Sequence, residues 1–114
     1  MINSIYTAEH YKWGADCDGW HLLQSPGLSL IQEKMPPDTG EVLHYHEKAQ
    51  QVFYILDGVA TFKLGEKTYT MIKGDSIHVP PGAVHQITNE SSMPLSFLVI
   101  SEPKAHGDRV VVEE

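Results

Sequence analysis

Cysteine is almost missing from these 114 residues: Cys17 stands alone. No internal disulfide can form, so packing and hydrogen bonds must hold the fold. A single thiol of this kind reads as inert rather than reactive. Long apolar runs are missing too, and no stretch has the length or character of a membrane-spanning helix. The start, Met1-Ile2-Asn3-Ser4-Ile5-Tyr6, has neither the basic residues nor the apolar core of a secretory signal. These absences lead to the expectation of a cytoplasmic protein with no membrane partner. Basic residues are scarce: eight Lys and Arg against fifteen Asp and Glu, for a net charge of −7. They form no stripe, which argues against nucleic acid, because affinity for phosphate backbones comes largely from Lys and Arg. The acidity itself implies only solubility. No segment carries a sustained helical period with caps.

What is present is a series of short strands and turns. The 41% apolar content suits a globular core, and the length suits one domain over residues 1–114. Period-2 segments bounded by turn residues predict strands at 19–24, 27–35, 41–46, 50–56, 59–64, 67–72, 76–80, 84–89 and 95–101, with a further one at 108–112. Ser25-Pro26-Gly27, Asp57-Gly58, Gly65-Glu66 and Pro81-Gly82 are the turns between them. Met35-Pro36-Pro37 ends a strand, since proline cannot donate to a ladder. Many short strands at this spacing imply an all-β sandwich or barrel.

Seven histidines are present, and three have telling positions. His44 and His46 are two apart, so a strand projects both from one face. With His85 and the amide oxygen of Gln51 they could converge on one divalent metal, for which neutral imidazole is a common ligand. Taken alone, the His44–His46 pair is equally well read as two polar residues on a solvated strand face.

The surrounding pattern resembles the cupin superfamily. The second cupin motif, G(X)5PXG(X)2H(X)3N, is matched at Gly74, Pro80, Gly82, His85 and Asn89. The first, G(X)5HXH(X)3-4E(X)6G, is matched at His44, His46 and Gly58. Gly40 sits two residues nearer the histidines than the pattern asks, and Gln51 stands where most cupins have glutamate. The motifs cover about residues 40–58 and 74–89. The resemblance implies a double-stranded β-helix, the cupin jelly-roll barrel, holding a divalent transition metal such as Zn, Ni, Mn or Fe. Its ligands here would be His44, His46, Gln51 and His85. Replacing glutamate by Gln51 leaves that shell neutral. The metal then keeps its full charge, attracts anions more strongly and is held less tightly. Some small cupins with glutamine in this place act on sugar acids, including the linearisation of unsaturated uronates, and others are named for sugar-phosphate isomerases. The resemblance thus implies a Lewis-acid metalloenzyme of isomerase or lyase type with a small sugar or sugar-acid substrate. A metal-dependent dioxygenase and a non-catalytic small-molecule binder are the alternatives.

Alternation assigns the faces. Val42 should point inward with His44 and His46, Phe53 and Ile55 with Gln51, and Ile87 with His85. Strand 95–101 is apolar on both faces, which predicts a covered outer sheet and a homodimer through it. The polar residues that could move a proton are His21, Glu33, Tyr45, His78 and Gln86. Alternation sends Tyr45 and Gln86 outward, leaving His21, Glu33 and His78; His21 and His78 are taken as the catalytic candidates, although an ordinary hydrogen-bonded role is the commoner fate of each. Gly74 and Gly82 read as turn residues with positive φ, and Asn89 as a tether for the loop after it. His10 and His106 have no expected role, and Asp108-Arg109 reads as surface ion pairs on a docked tail.

Overall fold

The computed structural model describes residues 2–113. Among these residues twelve strands run in the order β1 (Glu9–Trp13), β2 (Cys17–Gln24), β3 (Ser29–Met35), β4 (Thr39–Gly40), β5 (His44–His46), β6 (Gln50–Asp57), β7 (Val59–Leu64), β8 (Lys67–Ile72), β9 (Ser76–Val79), β10 (His85–Asn89), β11 (Leu95–Glu102) and β12 (Arg109–Val111). They form two antiparallel sheets. One has the order β1-β2-β3-β11-β6-β9; the other runs β12-β5-β10-β7-β8, with β4 also paired to β10. From β5 onward the chain passes back and forth between the sheets, with only β7 and β8 staying in one, which makes the all-β jelly roll, a double-stranded β-helix. Among the described residues no helix is long and apolar enough to cross a membrane.

Turn chemistry sets the strand ends. The amide of Ala83 donates to Pro80 O at 3.2 Å and closes the turn through Pro81-Gly82, where Gly82 has φ 81°. At Asp57-Gly58 the glycine has φ 92°, and a Cβ there would press on the backbone of Pro94 and Leu95. A side chain at position 58 would therefore be both strained and obstructed.

Alternation places one face of each sheet in the core. Phe53, Phe62 and Phe97 are fully buried, with Phe53 edge-on to Phe62 at 4.9 Å between ring centres and 6.0 Å from Phe97. Ile55, Ile87, Leu95 and Met35 fill the space around them. Burying one such side chain stabilises the fold by roughly 1.5–3 kcal/mol. The histidines lie beside this apolar end: the ring of Phe62 stacks on His85 at 6.1 Å and 8°.

Four sequence expectations change. The edge strand β1 was not foreseen; its residues are mostly exposed and polar, so its pattern is weak. The strand expected at 41–46 is shortened to β5, with 41–43 outside it and the two-residue β4 just before them. Consequently Val42 is 52% exposed rather than inward, because its position is no longer in register with His44. The strand expected from residue 27 begins at Ser29, since Ser25 binds Leu28 through both its backbone and its side chain. Phe53, Ile55 and Ile87 point inward as alternation requires.

Candidate metal centre

Three strands of two sheets bring the site together. His44 and His46 project from the same face of β5, and β10 pairs with that strand through His85↔His44. Gln51 arrives from β6 in the facing sheet. The potential ligand atoms of His44, His46 and His85 all lie within 4.8 Å of one another. All three imidazoles and Gln51 are buried.

Backbone carbonyls orient two of the rings. His44 Nδ1–H donates to Val42 O at 2.8 Å, and His85 Nδ1–H donates to Ala83 O at 2.9 Å. A carbonyl only accepts, so Nδ1 carries the proton in each ring and Nε2 presents a lone pair. Burial keeps the rings neutral. It drives His44 down to about 3 and His46 to about 4, and lowers His85 as well; the Arg109 charge acts in the same direction on all three, and neighbouring imidazoles do so on His44 and His46.

Two features fit a bound cation. Gln51 Nε2 donates to Ser101 Oγ at 2.9 Å, which turns Oε1 toward His85 Nε2 at 3.1 Å. Both facing atoms then carry lone pairs, a repulsive contact that a positive ion relieves. Donors at right angles and about 2.1 Å from an ion stand about 3 Å apart, so the spacing suits a shared metal. In addition, His46 Nδ1 is buried with no hydrogen-bond partner among the described residues. A donor set of three nitrogens and one amide oxygen is borderline in softness and suits divalent transition metals.

The cluster opens into a cavity of about 640 Å³ between the sheets, within the range of small-molecule sites. Ile31, Phe53 and Val99 form its apolar wall. Tyr11, His21, Glu33 and Glu41 supply further polar groups, and Lys104 and Arg109 supply cations. Glu41 Oε1 accepts from the amide of Ile87 at 3.2 Å, while its Oε2 lies 4.0 Å from His44 Nε2. Desolvation pushes the Glu41 carboxyl up to about 8 and that of Glu33 to about 7.

His21 lines the cavity, its ring tilted by 34° against that of Tyr11 at 4.7 Å. His78 does not reach it: it points to solvent from β9, where its Nε2 bonds Gln50 Oε1 at 2.9 Å. The register explains this, since His78 pairs with the outward Val52 and not with Gln51. Asn89 tethers as expected, giving Nδ2 to Met35 O and Met93 O and accepting from Ser91 through Oδ1. The tail docks on the barrel, but among the described residues Asp108 makes no ion pair; its Oδ2 accepts the amides of Lys48 and Ala49 at 3.0 and 2.9 Å. That anchor, together with β12 pairing to β5, carries His106 and Arg109 to the cavity. Sequence reasoning missed Tyr11, Glu41, Arg109 and His106. The β-branched run Val110-Val111-Val112 was the available signal for β12, but nothing local told which strand it would join.

Comparison with known proteins agrees with this fold. The family model for the cupin domain matches residues 31–101. An uncharacterized protein of Methanocaldococcus jannaschii is 33% identical over 86 residues, 75% of this chain and 69% of that protein. The oxalate-binding protein of Thermotoga maritima is 33% identical over 85 residues, 70% of each chain. Among solved structures, a predicted oxalate decarboxylase from Thermotoga maritima superposes with a TM-score of 0.81 at 25% identity, covering 91% of this chain and 99% of its own.

Proposed function

The chain belongs to the cupin family, and from that premise we propose a metal-binding cupin that takes a small, oxygen-rich acid and acts on it as a Lewis-acid enzyme of isomerase or lyase type. The metal ligands in this reading are His44, His46, Gln51 and His85. One observation carries it: a donor set without a carboxylate opens on a cavity whose lining includes the cations of Lys104 and Arg109. A chain of net charge −7 that gathers cations at one opening suits an anionic ligand.

Bound among these donors, a divalent ion would supply Lewis-acid polarisation of a ligand carbonyl or hydroxyl. The chain's own groups do the rest. Arg109 and Lys104 draw in the carboxylate, and the wall of Ile31, Phe53 and Val99 excludes water on one side. The neutral imidazoles leave their lone pairs available at neutral pH. A sugar acid combines the carboxylate with the neighbouring hydroxyls that such a centre would chelate.

A second reading, non-catalytic binding of a small dicarboxylate, is favoured by the 33% identity to a protein named for oxalate binding. Titration calorimetry on zinc-loaded protein with oxalate, D-galacturonate and neutral D-glucose tests both. The acids should bind and glucose should not, and Arg109→Ala should weaken the acids about tenfold or more. Equal binding of glucose would contradict the anionic-ligand reading. Binding of oxalate with no conversion of either acid would favour the binder.

We also read residues 1–114 as one cytoplasmic domain that pairs through the outer face of the first sheet. Leu98 opposes Tyr54, and Ile100 lies between Val52 and Leu30, which supports an apolar interface there. Light scattering should give twice the mass of a 12.7 kDa chain.

A further inference from the structure

Away from the histidines, three adjacent strands build a second polar constellation into the same cavity. Tyr11 of β1 is opposite Gly19 of β2, and Gly19 is opposite Glu33 of β3. The phenol of Tyr11 lies across the glycine; a Cβ at position 19 would overlap its ring and hydroxyl. Only because Gly19 has no side chain can Tyr11 span β2 and donate its hydroxyl to Glu33 Oε2 at 2.9 Å. Sheet pairing alone does not require a glycine or a tyrosine at these positions. The ring is held from its other neighbour by His21 at 4.7 Å. The second carboxyl oxygen of Glu33 has no hydrogen-bond donor among the described residues.

We propose that Glu33 is the acid/base of this site, passing a proton to and from the bound acid, with Tyr11 as the residue that positions its carboxyl. This rests on the oxygen-rich acid reading above. The alternative carboxyl, Glu41, is engaged by the Ile87 amide and stands against His44, so it is less free to serve. Groups facing Glu33 are Tyr11 from β1, Cys17 and His21 from β2, Glu41 from the segment before β5 and Arg109 from β12; β11 presents apolar Phe97 opposite it. Burial outweighs the Tyr11 hydrogen bond and the Arg109 charge, and raises the carboxyl to about 7. Such a group exchanges protons readily at neutral pH.

The step balances within the ligand. The Glu33 carboxylate takes a proton from the carbon beside a carbonyl. The C–H pair forms a C=C bond as the carbonyl pair moves to oxygen. Protonated Glu33 then returns the proton to the former carbonyl carbon, while the hydroxyl proton of the first carbon passes to the new hydroxyl oxygen. The product is an isomer, and no oxidant or reductant takes part.

The test follows deuterium wash-in from heavy water by NMR, with metal-loaded protein and D-galacturonate, D-glucuronate or a 4,5-unsaturated uronate as probe. The parent should exchange at least one probe. Glu33→Gln should lower kcat about 100-fold or more with KM and metal content unchanged. Tyr11→Phe removes a donor that favours the carboxylate, so the rising limb of its pH–rate profile should move to higher pH. Parent-like exchange in Glu33→Gln would overturn the assignment and leave the acid-ligand reading standing. A parent that neither binds nor exchanges any probe would overturn that reading and the assignment with it. A carbon-13 titration of the parent's Glu33 carboxyl needs no variant: a midpoint near neutrality is expected, and one in the ordinary carboxylate range would overturn the proposal.

Discussion

Gln51 is the residue on which the chemistry of this site turns. Its amide is fixed between Ser101 and His85, with the oxygen toward the imidazoles. It brings a donor atom but no charge. Gln51→Glu should therefore raise the affinity for zinc and weaken the binding of oxalate and uronates to the loaded protein. Calorimetry on both ligands measures the two effects, and their joint absence would mean that Gln51 is not a ligand. His44, His46, Gln51 and His85 were legible in the sequence because strand alternation and motif spacing both constrain them. Tyr11, Glu33 with its partner, and Arg109 were not legible as a group. Their neighbourhood depends on which strands pair, and β1 and β12 lie at the sheet edges, where local pattern is weakest.

At the scale of elements, the turn after β10 depends on one side chain. Asn89 is fully buried and makes four hydrogen bonds, to Met35 O, Met93 O and both the amide and hydroxyl of Ser91. Asn89→Ala would take a buried donor from Met35 O and an acceptor from the Ser91 amide, at a cost of about 1–3 kcal/mol. Urea unfolding should show a lower midpoint with an unchanged slope; an unchanged midpoint would mean that water replaces the amide. Most strands in the middle of the chain, β6 to β8 above all, could be read from alternation and from turns such as Asp57-Gly58. The break at 41–43 could not. It arises because Glu41 turns in to bind the Ile87 amide and Val42 O accepts from His44, both long-range or side-chain effects outside a period-2 pattern.

For the whole molecule, buried ionisable groups of opposite sense should give the metal-depleted chain a stability maximum. His44 and His46 sit at about 3 and 4 when folded, against 6.5 when exposed, and His85 is lowered too. They take up protons on unfolding, so the stability present above 6.5 is lost as the pH falls toward 4. Glu33 and Glu41 sit at about 7 and 8 when folded, against 4.5. They release protons on unfolding, so the stability present below 4.5 is lost as the pH rises through 7 to 8. Thermal melts of metal-free protein should give the highest Tm at roughly pH 6, with a fall on both sides; a Tm that climbs steadily from pH 4 to 9 would contradict the assigned burial. The central claim, a divalent metal held at the histidines, is tested most directly by elemental mass spectrometry of untagged protein beside folded His85→Ala. Near-stoichiometric transition metal in the parent, present on isolation or after reconstitution and lost in the variant, is expected. A parent that neither carries nor takes up metal, or a variant that retains it, would contradict the account.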